Sequence, residues 1–211
     1  MFLINRYGLV LMPMVEKFAH YKKKLKFLEI GLGCNMGYGP GASVRMWKDI
    51  FKQKDVEIWE AELVKECVDE SHKKGMLDGI NVLVGDQSNP EVLQEWIVQT
   101  NATKAGFDLV IDDGGHRNDM MLLSLQAFFP VINPGGWYFI EDLEVSFMEP
   151  FIAHGFPPIT VVLQSWIETL HVGVKVVSGH HRHLVERWPL PQGCDMILCQ
   201  KTACALHKRE Y

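Results

Sequence analysis

Short apolar runs alternate along the chain with stretches in which apolar residues recur every three or four positions. Residues 26–30 (KFLEI) read as a buried strand that stops at glycines, after which Val44, Trp47, Ile50 and Phe51 recur at helical spacing. A second strand fits 56–60 (VEIWE), followed by a helix through 62–74 that Gly75 can end in a left-handed cap. Residues 80–85 (INVLVG) make a third strand. The next helix is announced by Ser88 and Glu91 at capping-box spacing and by Pro90 in its first turn, with Val92, Leu93, Trp96 and Ile97 as its apolar face. A fourth strand, 107–111 (FDLVI), leads to a helix over 118–129 with Met121, Leu125 and Phe128 inward. "NPGG" then reads as a turn into a fifth strand, WYFIE. Beyond it, Val162, Trp166 and Leu170 predict a core-facing helix, and CDMILCQK a closing strand.

Short strands, apolar throughout and separated by helices, call for a mostly parallel sheet covered on both faces. The expected class is therefore α/β: a doubly wound, Rossmann-like sheet in a three-layer α/β/α sandwich, forming one domain over 26–211. The first 25 residues are left as a lid or a homodimer segment.

Composition narrows the partners. A formal charge of −5 and a pI near 6.0 over 211 residues give no basic stripe for a nucleic acid, and the run YKKKLK is short. The apolar opening is interrupted by Arg6, Pro13, Glu16 and Lys17 well before the roughly 18 apolar residues of a membrane span, and it lacks the marks of a signal peptide. A cytoplasmic protein without a membrane partner is expected. The five cysteines are scattered and odd in number, which reads as reduced thiols.

In doubly wound sheets ligands collect beyond the carboxyl ends of the strands. Each of the five predicted strands ends in at least one carboxylate: Glu29, Glu60, Asp86, Asp112 with Asp113, and Glu141 with Asp142. Gly31 and Gly33 fit a tight turn where a nucleotide approaches the backbone. A dinucleotide fingerprint needs a third glycine at position 36, which is Met36. Glu60 at the second strand end can accept hydrogen bonds from both hydroxyls of a ribose, so an adenosine is implied, with no pyrophosphate required. A P-loop is excluded because no Gly-Lys-Ser/Thr follows, and "GASVR" is no nucleophile elbow. The adjacent carboxylates offer hard oxygen ligands of the kind magnesium takes, and His116 titrates near working pH and can accept a proton. The histidines at 180, 181 and 183 read as loop or edge. Cys194, Cys199, Cys204 and His207 lack the paired spacing of a structural zinc site.

At these residues the chain resembles the class I S-adenosylmethionine-dependent methyltransferases. "LEIGLG" looks like their first motif, Glu60 like the acid that holds the ribose, and "VGDQ" at 84–87 like the adenine-contacting segment. "FDLVIDDGGH" followed by "NPGGWYFIEDL" is similar to a narrower group, the macrocin and mycinamicin sugar O-methyltransferases. The resemblance covers about residues 26–145. It implies a cofactor site made of Glu29, Gly31, Gly33, Glu60, Asp86, Gln87 and Asp112. It also implies a magnesium site drawn from Asp112, Asp113, Glu141 and Asp142, with His116 as base beside Asp113. Two departures stand out: few residues precede the first strand, and the loop CNMGYGPGAS is long and glycine-rich.

The expected function is methyl transfer from S-adenosylmethionine to a hydroxyl of a small molecule, a sugar or other secondary metabolite, with magnesium assisting. Tyr38, Phe147, Met148 and Phe151 follow strand ends and are candidates to line an acceptor pocket. The alternatives are N-methylation, a methyltransferase-like protein that binds the cofactor without transferring its methyl group, and a nicotinamide-dependent Rossmann oxidoreductase.

Overall fold

The computed structural model describes residues 24–37, 39–52, 55–173 and 179–210, without the side chain of His180. Tyr38 and all of the N-terminal segment but its last two residues lie outside them. The chain divides into two compact units, one ending at Gly85 and the other beginning at Asp86.

The first unit is built on three parallel strands, β1 (Leu25–Ile30), β2 (Val56–Glu62) and β3 (Asn81–Val84), with β2 in the middle. Two helices connect them, α1 (Ala42–Phe51) and α2 (Lys65–Lys73). All six residues of β1 are buried, as expected of a parallel strand covered on both faces. Trp47 and Phe51, one helical turn apart on α1, pack on Phe27 with ring centroids 5.0 and 5.8 Å away. Burying side chains of this size stabilises by roughly 1.5–3 kcal/mol each. Gly75 ends α2 with φ +70°; its N–H bonds to the His72 carbonyl and that of Met76 to the Ser71 carbonyl, closing a Schellman cap.

The second unit carries α3 (Pro90–Gln99), β4 (Phe107–Asp112), α4 (Asn118–Phe128) and β5 (Ile132–Ile140). Two short 3₁₀ turns follow, Leu143–Phe147 and Glu149–Phe151, then α5 (Ile159–Val172), α6 (Gly179–Arg187), β6 (Cys194–Cys199) and β7 (Cys204–Lys208). β4 pairs with β5 in parallel, while β7 runs antiparallel to both β5 and β6. Parallel strands joined by helices within each unit place the molecule in the α/β class.

Several local expectations are corrected. Asn89 caps α3, its side chain accepting the Glu91 N–H at 2.9 Å, because Pro90 takes the first helical position and leaves Ser88 one residue too early. "NPGG" is no turn but a bulge inside β5, where the register against β4 shifts between Phe107 and Leu109. A side chain at Gly136 would meet Ile132 Cγ2 at 2.7 Å and the Asp108 carbonyl at 2.8 Å, so the bulge needs glycine there. The histidines at 181 and 183 lie on α6, and His181 Nδ1 meets Glu168 Oε2 on α5 at 2.7 Å, too far upstream in sequence to foresee. The cysteines are not all thiols: Cys34 bonds Cys67, and Cys199 bonds Cys204 across the β6–β7 hairpin, leaving Cys194 as a buried free thiol. No helix among the described residues is long and apolar enough to cross a membrane.

Candidate functional site

In the first unit the chain leaves β1 through Gly31 and Gly33, with φ of +113° and +80°, values open to glycine and strained for other residues. β2 runs two residues further than its sequence suggests. Its tip carboxylate is therefore Glu62, and Glu60 lies two residues back on the same face. Glu62 Oε1 accepts the N–H groups of Leu63 and Val64 at 2.8 and 3.1 Å, and Oε2 accepts that of Cys34 at 3.4 Å. The carboxylate thus ties the glycine-rich loop to the turn after β2.

Glu60 faces Glu29 in strand register, and the two are 0% and 1% exposed. Burial pushes both carboxyls above their ordinary range, and the neighbouring Glu29 raises Glu60 further. Among the described residues, both Glu60 oxygens and Glu29 Oε2 lack a donor when the acids are ionised. A proton shared between them supplies one, the form that the upward shift of both carboxyls favours.

The second unit divides its predicted residues into two groups. Asp112, 1% exposed, accepts from Gln87 Nε2 at 2.6 Å and from the Tyr138 hydroxyl at 3.1 Å. Burial pushes its carboxyl up to about 6 against these bonds and that of the Gly114 backbone. Gln87 gives its second amide hydrogen to Ser124 at 2.9 Å and accepts the Gly115 N–H at 3.1 Å. Asp112 and Gln87 therefore hold the loop that follows β4, and the amide donors of Gln87 are committed within the protein. Asp86 is exposed, its Oδ1 accepting the Ser88 N–H at 2.8 Å.

Asp113, His116 and Asp142 form the other group: one ligand atom of each lies within 4.8 Å of the others, and all three are partly exposed. His116 Nε2 is 3.6 Å from Asp142 Oδ2, and its Nδ1 is buried without a partner among the described residues. Burial pushes the imidazole below its ordinary value, while the charges of Asp142 and Glu144 pull it back. His116 and Asp142 have φ of +55° and +51°, and Asn101 is the one other non-glycine residue with positive φ among the described residues. Such backbone strain gathers at functional sites. The Phe151 ring lies 6.4 Å from that of His116. Asn118 fixes this wall: it donates to the Ser146 and Phe151 carbonyls at 2.9 and 3.1 Å and accepts the Ile159 N–H at 2.9 Å. Glu141 follows β5, 2% exposed, outside the cluster. Phe147 and Met148, expected near an acceptor, are exposed.

Sequence reasoning missed Glu62, Tyr138, Ser124 and Asn118. For Glu62 a signal was present, since "WEAEL" places two acids on one strand face; the others are recognisable only from their partners.

No family profile matches the chain. In sequence it is 37% identical over 139 residues to demethylmacrocin O-methyltransferase of Streptomyces fradiae, an alignment covering 64% of this chain and 31% of that protein. It is 35% identical over 140 residues to mycinamicin VI 2''-O-methyltransferase of Micromonospora griseorubida, with the same coverage. Its fold superposes on the mycinamycin-pathway methyltransferase MycE, crystallised with Mg, SAH and mycinamycin VI. The TM-score is 0.66 at 26% identity, covering 92% of this chain and 48% of that one. The molecule thus has a methyltransferase-type, Rossmann-like α/β fold. Within that class its sequence is similar to demethylmacrocin and mycinamicin VI O-methyltransferases, and its alignments span about a third of the length of those curated relatives.

Proposed function

We propose that this protein is an S-adenosylmethionine-dependent O-methyltransferase that methylates a hydroxyl of a small molecule, a sugar or related secondary metabolite, with magnesium. The observation that carries this reading is the gathering of Asp113, His116 and Asp142 in a chain aligned with enzymes of that activity.

Two carboxylates with room for an ion between them fit a hard cation, and Asp113 and Asp142 are the residues to hold it, with Glu141 beside Asp142 in the chain. Asp112 is assigned away from the ion because it is buried and lies outside the cluster. In the first unit, positive φ at Gly31 and Gly33 admits a nucleoside close to the backbone. Glu62, at the tip of β2, replaces the sealed Glu60 as the ribose acid. Glu29 supports this site from within the first unit.

S-adenosylmethionine supplies an electrophilic methyl on a sulfonium, and magnesium lowers the pKa of a coordinated hydroxyl. The chain's own part is alignment and proton removal. Burial keeps His116 neutral and able to accept. With the cofactor bound, it would take the proton of the acceptor hydroxyl at Nε2, where the Asp142 carboxylate favours the imidazolium. Gln87 and Asp112 hold the Asp113–His116 loop, and Asn118 sets the Phe151 wall.

Calorimetry with S-adenosylhomocysteine and NAD, followed by a methyl-transfer screen over glycosylated and phenolic acceptors with and without EDTA, tests the proposal. Binding of the former alone and EDTA-sensitive transfer are expected. NAD binding, or cofactor binding without transfer to any acceptor, would favour the other readings.

A further inference from the structure

The glycine-rich loop is held by two ties that meet the same corner of the first unit. One is the long hydrogen bond, 3.4 Å, from the Cys34 N–H to Glu62 at the tip of β2. The other is the disulfide from Cys34 to Cys67, the third residue of α2, which joins positions 33 residues apart. Both cysteines are half-buried, so the bridge is within reach of solvent. Cys67 lies in the first turn of its helix, where the helix dipole favours a thiolate. The hairpin bridge Cys199–Cys204 differs: it spans five residues within paired strands that already hold its ends together.

We propose that Cys34 and Cys67 form a redox-modification site that sets the affinity of the loop for its adenosyl ligand. Oxidised, the bridge holds the loop against the start of α2 with Glu62 in place. Reduction by a dithiol, small or protein-borne, proceeds by thiolate attack on one sulfur, then release of the mixed disulfide by the second thiol. Two electrons pass to the protein, Cys34 and Cys67 emerge as thiols, and the reductant becomes a disulfide. Of the two ties at this corner, the long hydrogen bond to Glu62 is then the one that remains. This inference rests on the reading of the loop as the nucleoside site.

Calorimetric titration of the full chain with S-adenosylhomocysteine, oxidised, reduced with dithiothreitol, and reoxidised with oxidised glutathione, tests it. At least a tenfold loss of affinity on reduction is expected, restored on reoxidation, with the protein folded by circular dichroism throughout. The variant Cys199→Ser/Cys204→Ser should keep this response, and Cys34→Ser/Cys67→Ser should bind weakly whether or not reductant is present. Equal affinity of oxidised and reduced protein overturns the switch and leaves the proposed function standing, as does a response that disappears with the hairpin bridge. Absence of binding in every state removes the nucleoside reading, and the switch with it.

Discussion

The Glu29–Glu60 pair of the first unit and the Asp113–Asp142 pair of the second are set in opposite ways. In the first, Glu29 and Glu60 face one another inside the protein, cut off from solvent. In the second, Asp113 and Asp142 stand partly in solvent beside His116, and His116 and Asp142 hold backbone positions that cost strain. Burial favours the protonated form of a carboxylic acid. Partial exposure leaves its oxygens open to a cation. Acids that look alike in sequence therefore divide into those that belong to the fold and those that can meet a ligand.

Replacing the open residues should change turnover and leave stability alone. His116→Ala should lower methyl transfer by about 10²–10⁴, with affinity for S-adenosylhomocysteine unchanged in calorimetry. Unchanged turnover would remove His116 as the base. Asp113→Asn with Asp142→Asn should abolish magnesium binding in a titration with the ion, while unfolding free energy shifts by no more than about 0.5 kcal/mol. A large loss of stability would place these residues with the sealed ones.

The sealed residues should do the reverse. The Asp112 carboxyl sits at about 6 in the folded protein against an ordinary 3.8. Its contribution is thus greatest below the unfolded value and is lost as pH rises through about 6. Over that window it amounts to about 3 kcal/mol. Denaturant unfolding between pH 4 and 7 should show a slope that flattens by this amount in Asp112→Asn, whose amide can still bond to Gln87 and Tyr138. Glu60 is raised for the same reason and in the same direction. Glu60→Gln, which gives Glu29 a donor, should stabilise the protein near neutral pH by about 1 kcal/mol. A destabilised Gln variant with weaker nucleoside binding would return Glu60 to the ligand site.

Much of this arrangement was legible beforehand. The alternation of apolar runs and helical spacings located β1 to β4 to within a few residues, because parallel strands buried on both faces must be apolar throughout. "DDGGH" and "IED" pointed to Asp113, His116 and Asp142. What escaped depends on partners distant in the chain. The tip of β2 lies at Glu62 because pairing with β3 continues to Val84, which no local pattern in "WEAEL" fixes. The bulge in β5 hid the first part of that strand behind proline and glycine, and β7 is recognisable through its pairing with β5. Cys34 and Cys67 looked like isolated thiols until the fold brought their Cα atoms to 6.0 Å.

The left-handed backbone at His116 and Asp142 has a consequence for anyone diversifying this scaffold. Pools of variants randomised at these two codons and sorted only for solubility or heat resistance should drift toward glycine and asparagine, which adopt that conformation at low cost. Pools sorted for product should keep histidine and aspartate. The divergence between the two harvests would measure, codon by codon, how far selection for chemistry opposes selection for folding.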